Sequence, residues 1–227
     1  MELKFEKVYY PCVTLAKKRY CGYKMEKLNE TRVLDAKGIE TIRRDTVEAV
    51  QKIEDKCLRI LFETKSLTQV KSYLQRQWLK IIQGNVDFQD FIFAKEIRWG
   101  SYKDLPLGAI VIERKLQADP GAIPRFKERV PYVIVKGQGG AVDYNRLKDV
   151  VVSPEEFLAK DGMLLNANYY IKKQINAALN RIFLEIFDVD VNSWFDKLPK
   201  QMKEQGAQSK KIGYFSQQIS SSKSAIS

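Results

Sequence analysis

Between Gly38 and Ile82 apolar residues recur at three- and four-residue spacing for two successive stretches, and this constrains the chain more than any other feature. Ile39, Ile42, Val50, Ile53, Cys57, Ile60 and Leu61 form the first stripe, and Val70, Leu74, Trp78 and Ile81 the second. A 3.6-residue period cannot sit on a strand, so both stretches read as helices with one buried face. Asp45-Thr46 is placed to cap the first helix, running from about Val47, Ser66 to cap the second, and Gly84 to end it. The partner faces lie elsewhere in the chain. Asn166 to Phe187 reads as a long helix, with short ones at Asp87 to Ala94, Leu107 to Leu116, after Ser153-Pro154, and at Ser193 to Leu198.

Strand signals flank these helices. Tyr9 to Leu15 runs apolar and β-prone and Lys17 to Glu26 alternates, which predicts two strands with a turn near Leu15 to Lys17. Arg129 to Val135 reads as a strand and Val150 to Val152 as a short one, while residues 27 to 37 carry no period and read as a loop. The fold class expected is therefore α+β. Residues 203 to 227 are rich in Gln, Ser and Lys and read as a disordered basic tail.

The chain of 227 residues carries 39 Lys and Arg against 28 Asp and Glu, and no histidine. That excludes a Ser-His-Asp triad and any His-based zinc site. Cys12, Cys21 and Cys57 are too few and scattered for a metal cluster or a disulfide framework. No run of about 18 apolar residues exists, so no membrane partner is expected, and no helix sets a basic face opposite an apolar one. The formal charge of +11 points to an anionic partner, nucleic acid first.

Two motifs give that charge a location. Lys17-Lys18-Arg19-Tyr20 falls on the predicted strand, with Lys17 and Arg19 on one face and Lys18 and Tyr20 on the other. It suits a phosphate backbone; a charged edge strand that resists aggregation is the plainer reading. Asp35-Ala36-Lys37-Gly38-Ile39-Glu40-Thr41-Ile42-Arg43-Arg44-Asp45 brackets cations with acids. Asp35 or Asp45 is placed to hold Lys37 or Arg44 in a fixed rotamer, with Glu40 as further support, and Gly38 permits a close backbone approach. A salt-bridged helix start is the plainer reading here.

Together these motifs resemble the end of the palm in family B DNA polymerases. Asp90-Phe91-Ile92-Phe93-Ala94-Lys95-Glu96 and Glu128-Arg129-Val130-Pro131-Tyr132-Val133-Ile134 resemble the thumb of that family. Asn166 to Ile175 and Trp194-Phe195 fit as well, and the wording is nearest to the zeta-type catalytic subunits. The resemblance covers roughly residues 3 to 200. It implies a small β-hairpin palm remnant over 1 to 45, a mainly helical thumb with a short β insertion over 46 to 200, and the tail over 201 to 227. It implies that Lys17, Lys18, Arg19 and Tyr20 follow the minor groove of a primer–template duplex. Lys37, Gly38, Arg43 and Arg44 would contact the duplex near the primer end, and Arg129 and Tyr132 would grip the product.

The implied activity is template-directed nucleotidyl transfer, in translesion synthesis and repair, in the nucleus. Family B chemistry uses two magnesium ions held by palm carboxylates in a Tyr-Gly-Asp-Thr-Asp and an Asp-x-x-Ser-Leu-Tyr-Pro-Ser segment. Neither occurs in this sequence, so no catalytic residue and no cofactor is assigned here. Asp188-Val189-Asp190 imitates a carboxylate pair in the wrong context. The family's zinc and iron–sulfur cysteine clusters likewise have no counterpart. Expected partners are primer–template duplex and the remainder of the catalytic subunit. Gln208 to Phe215 faintly resembles a sliding-clamp peptide, with Lys211 where an aliphatic anchor belongs. A non-catalytic duplex-binding or scaffold module derived from a thumb is the alternative reading. In either reading the apolar face of residues 1 to 26 would normally pack on further palm strands.

Overall fold

The computed structural model describes residues 7–25, 32–137 and 144–199. The tail and the clamp-like segment lie outside them. Two small antiparallel sheets flank a helical core, in the order β1 (Val8–Ala16), β2 (Arg19–Met25), β3 (Val33–Lys37), α1 (Glu48–Thr64), α2 (Leu67–Ile82), β4 (Phe93–Ile97), α3 (Leu107–Ala118), β5 (Glu128–Ile134), β6 (Val151–Val152), α4 (Pro154–Ala159), α5 (Ala167–Tyr169), α6 (Asn176–Phe187) and α7 (Val191–Asp196). The sheets run β1-β2-β3 and β4-β5-β6.

The two periodic stretches form α1 and α2 as expected. Val50, Ile53, Cys57, Leu58 and Leu61 of α1 meet Val70, Leu74, Trp78 and Ile81 of α2 in one core with Ile171, Ile175, Leu179, Ile182 and Phe183. The Ser66 hydroxyl caps α2 by accepting from the Gln69 amide at 3.4 Å. Gly84 leaves α2 with a φ of +69°, which a glycine adopts freely. The Trp78 indole N–H donates to the Asn176 side-chain carbonyl at 3.1 Å, so the one polar atom of a fully buried ring is satisfied across 98 residues.

Asp45 and Thr46 do not cap α1. Val47 stands at that position without a side-chain bond, because Asp45 is engaged by Arg43. The long helix expected from Asn166 runs without interruption from Ala167 to Phe187, as α5, a π-helical segment over Tyr170–Ile175, and α6. The Tyr170 hydroxyl in that segment donates to the Phe91 carbonyl at 2.9 Å and accepts from the Ile134 amide at 3.0 Å.

Two further expectations fail for one reason. Residues 33–37, read as loop, form β3 against β2, with Tyr20 opposite Lys37 and Lys24 opposite Val33. The helix expected over Asp87 to Ala94 is a 3-10 turn at Phe88–Phe91 followed by β4. Both strands are five residues long, and pairing with a neighbouring strand makes them. The first sheet buries Val13, Cys21 and Tyr23 in the helical core, while Val8, Tyr10 and Val33 stay exposed. None of the helices among the described residues is long and apolar enough to cross a membrane.

Candidate nucleic-acid interface

Only the second half of the basic motif, Arg19 and Tyr20, lies on a strand. Lys17 and Lys18 form the turn between β1 and β2, so the alternating faces expected for residues 17 to 20 do not exist. Both side chains are exposed, and Lys18 holds a φ of +65°. Arg19 opens β2. Gly38 leaves β3 with a φ of +69° and lies against the turn, where a Cβ at residue 38 would stand 2.4 Å from the Lys18 carbonyl oxygen. The Arg19 Nε donates to the Gly38 carbonyl at 3.3 Å. Turn, strand start and glycine thus form one corner, and Lys37 joins it opposite Tyr20. Tyr20 is half-buried, edge-on to Tyr9 at 5.4 Å between centroids.

The acids choose other partners than those expected. Asp35 accepts from the Tyr9 hydroxyl and lies 3.5 Å from Lys7. The Tyr9 bond, opposed by partial burial and helped by Lys7, holds its carboxyl below the usual range. Asp45 takes Arg43 in a two-point contact at 2.9 and 2.7 Å, which lowers the acid and raises the guanidinium. Neither acid fixes Lys37 or Arg44. Among the described residues Lys17, Lys18, Lys37 and Arg44 carry no ion pair.

The thumb-like residues divide. Arg129 donates one guanidinium nitrogen to both the Arg44 carbonyl at 2.9 Å and the Ala94 carbonyl at 2.7 Å. It ties the second motif to the β4–β5 sheet and keeps its other nitrogens on an exposed surface. Tyr132 is a correction. Its ring is 3 % exposed and stacks on Phe93 at 5.1 Å, so it packs the core and presents nothing to a duplex. Alternation along β5 aims it inward, with Val130 and Ile134.

Beneath the corner lie residues whose pairing the sequence does not show. Glu40 is 4 % exposed and ion-paired with Arg181 of α6. Glu54 of α1 is fully buried, and neither of its carboxylate oxygens has a hydrogen-bond partner; one oxygen of Glu40 is likewise unpartnered. The signal for Glu54 was visible as an acid among Val50, Ile53, Cys57 and Leu58 in the apolar stripe. Asp188 and Asp190 cap helix ends, Asp188 with a φ of +52° after α6 and Asp190 accepting from the Asn192 amide before α7. Among the described residues no group of three or more His, Cys, Asp or Glu side chains is placed to hold a metal ion.

The family model for DNA polymerase family B matches residues 1–186. The chain belongs to the family B DNA polymerases. Within the family it is 50% identical over 205 residues to the DNA polymerase zeta catalytic subunit of Arabidopsis thaliana, covering 87% of this chain and 11% of that protein. The zeta catalytic subunits of Saccharomyces cerevisiae and Homo sapiens are 45% and 47% identical over 87% and 88% of the chain, and 13% and 6% of their own lengths. The chain thus corresponds to a piece of about a tenth of these relatives. A solved family B polymerase from Pyrobaculum calidifontis matches with a TM-score of 0.58 at 22% identity, over 82% of this chain and 23% of that one. That likeness extends to the fold, and the α+β arrangement of two antiparallel sheets on a helical core is a family B one.

Proposed function

We propose that this chain is the duplex-gripping part of a zeta-type polymerase catalytic subunit. Residues 1–45 close the palm and 46–200 form the thumb. One observation carries the reading: Lys17, Lys18 and Lys37 stand on one corner built by Gly38, and none of them is neutralised by a neighbouring acid among the described residues. Arg44 extends the basic surface along the same segment, where Arg129 holds its backbone. Unpaired cations on a fixed backbone suit phosphates, which carry charge without sequence information. The setting in translesion synthesis, repair and the nucleus rests on the similarity to zeta subunits. The metal-bearing carboxylates and the nucleotide site belong, in this reading, to parts of the subunit other than these residues.

Binding should show little sequence preference and a steep dependence on salt. Arg43 is neutralised by Asp45 and Arg19 is half-buried with its Nε on the Gly38 carbonyl, which leaves the exposed Lys17, Lys18, Lys37 and Arg44 to displace counterions. At about 0.9 counterion per phosphate contact, log affinity should fall against log salt with a slope of about −4. Lys17→Ala with Lys18→Ala should reduce the slope by about 2 on every duplex tested. Lys103→Ala with Lys197→Ala, exposed and outside the corner, should leave it within experimental error. Equal loss from the two double variants would show a diffuse charge and defeat the assignment.

A further inference from the structure

Two consecutive backbone carbonyls in the second motif are taken by side chains from distant parts of the chain. The Gln51 side-chain amide of α1 donates to the Arg43 carbonyl at 2.7 Å. The Arg129 guanidinium of β5 donates to the Arg44 carbonyl at 2.9 Å. These carbonyls belong to the two peptide planes that meet at the Arg44 Cα. Each plane is rigid, so the backbone freedom at residue 44 is the rotation of one plane against the other through φ and ψ. Holding both planes from outside restrains φ and ψ together, and with them the direction in which the Arg44 side chain leaves the backbone. Both carbonyls lie at the surface, where water could serve them equally well. What the two side chains add is a fixed geometry.

The anchors are themselves held. Gln51 sits in the first turn of α1, a helix of 17 residues. Arg129 lies in β5 opposite Glu96 of β4, and the same guanidinium nitrogen donates to the Ala94 carbonyl of β4 at 2.7 Å. The Arg43 amide donates to the Glu40 carbonyl at 3.2 Å, so the segment is also fixed where it enters. The neighbouring charges complete the arrangement. Asp45, the acid adjoining Arg44 in the sequence, is taken up by Arg43 in its two-point contact. Arg44 therefore stands exposed on a braced backbone, with the nearest acid occupied.

We propose that Gln51 and Arg129 are positioning residues, a splint that presets Arg44 to meet a phosphate of duplex DNA, and that Arg129 acts through Arg44 instead of gripping the duplex itself. The encounter with phosphate rests on the proposed function. Ordering one rotamer-rich side chain on binding weakens affinity by about two- to tenfold, and a backbone already in place removes part of that cost beforehand. Because Arg129 also holds Ala94, the Arg44 cation and the β4–β5 sheet approach a duplex as one unit. Gln51 carries no charge, so its contribution to binding can only be geometric.

The test is a double-mutant cycle on the 227-residue chain, read by salt titration of duplex affinity, by urea unfolding and by amide relaxation in the free chain. Gln51→Met keeps the length of the side chain, cannot donate and changes no charge. Arg129→Met keeps the apolar stem and loses the donors. Each variant should bind duplex about three- to tenfold more weakly than wild type. Gln51→Met should do so with an unchanged salt slope, because no cation is removed. Arg44→Ala should lower the slope by about 1. Added to Arg44→Ala, neither variant should cost more than about a further twofold, since nothing remains to be positioned. In the free chain the Arg44 and Asp45 amides should have order parameters near about 0.85, falling below about 0.6 in either variant. Urea unfolding should stay cooperative in both, and either variant carries the cycle if the other does not fold. Equal losses with and without Arg44, or a further drop of about 1 in slope when Arg129→Met joins Arg44→Ala, would make Arg129 a duplex contact in its own right and overturn the proposal. Unchanged order parameters in both variants overturn the splint. Absence of duplex binding by wild type overturns the proposed function and the phosphate role of Arg44 together, while the order parameters still decide the splint.

Discussion

Replacing Gly38 by alanine separates two costs that usually arrive together. The φ of +69° demands a left-handed backbone, which costs an L-residue about 1–2 kcal/mol. The added Cβ would also stand 2.4 Å from the Lys18 carbonyl oxygen and 3.0 Å from the Arg19 Cγ. Ordinary contact begins at 3.4 Å, so turn and loop must part by roughly 1 Å. That opening breaks the Arg19–Gly38 hydrogen bond, already 3.3 Å long, for about another 1 kcal/mol. The sum is about 2–3 kcal/mol. Gly100 supplies the control: its φ is +84° and nothing lies within 4 Å of its would-be Cβ. Gly100→Ala should therefore cost only the backbone share, about 1–2 kcal/mol. Urea unfolding of the two variants should differ by about 1 kcal/mol, with Gly38→Ala the weaker. Only Gly38→Ala should also lose duplex affinity. Equal destabilisation, with duplex binding untouched in both, would refute the tight corner.

Tyr170→Phe removes a fully buried hydroxyl that serves the Phe91 carbonyl and the Ile134 amide, and should cost about 1–3 kcal/mol in urea unfolding; a loss under about 0.5 kcal/mol would deny the hydroxyl its place between the turn and β5. Primer extension with magnesium and four nucleotides should give no product from this chain. Robust extension that Asp188→Ala with Asp190→Ala abolishes would make those helix caps a catalytic pair after all.

The sequence by itself determined whatever is local. The 3.6-residue stripes of α1 and α2, the Ser66 cap, the Gly84 stop and the Ser153-Pro154 start of α4 each depend on neighbours a turn away. Family membership was legible too, because two long motifs in order are specific where one short motif is not. Tertiary structure decided the rest. Residues 33–37 and 93–97 become strands only when β2 and β5 offer an edge, and five residues carry too little period to announce it. The turn at Lys17 and Lys18 placed the two lysines where alternation had put a strand. Pairing with β4 aimed Tyr132 into the core instead of outward. Glu40 closed on Arg181 across 141 residues. A carboxylate takes whichever cation the fold brings within reach while its own burial raises the cost of remaining unpaired, and that reach is a property of packing, which spacing along the chain does not encode.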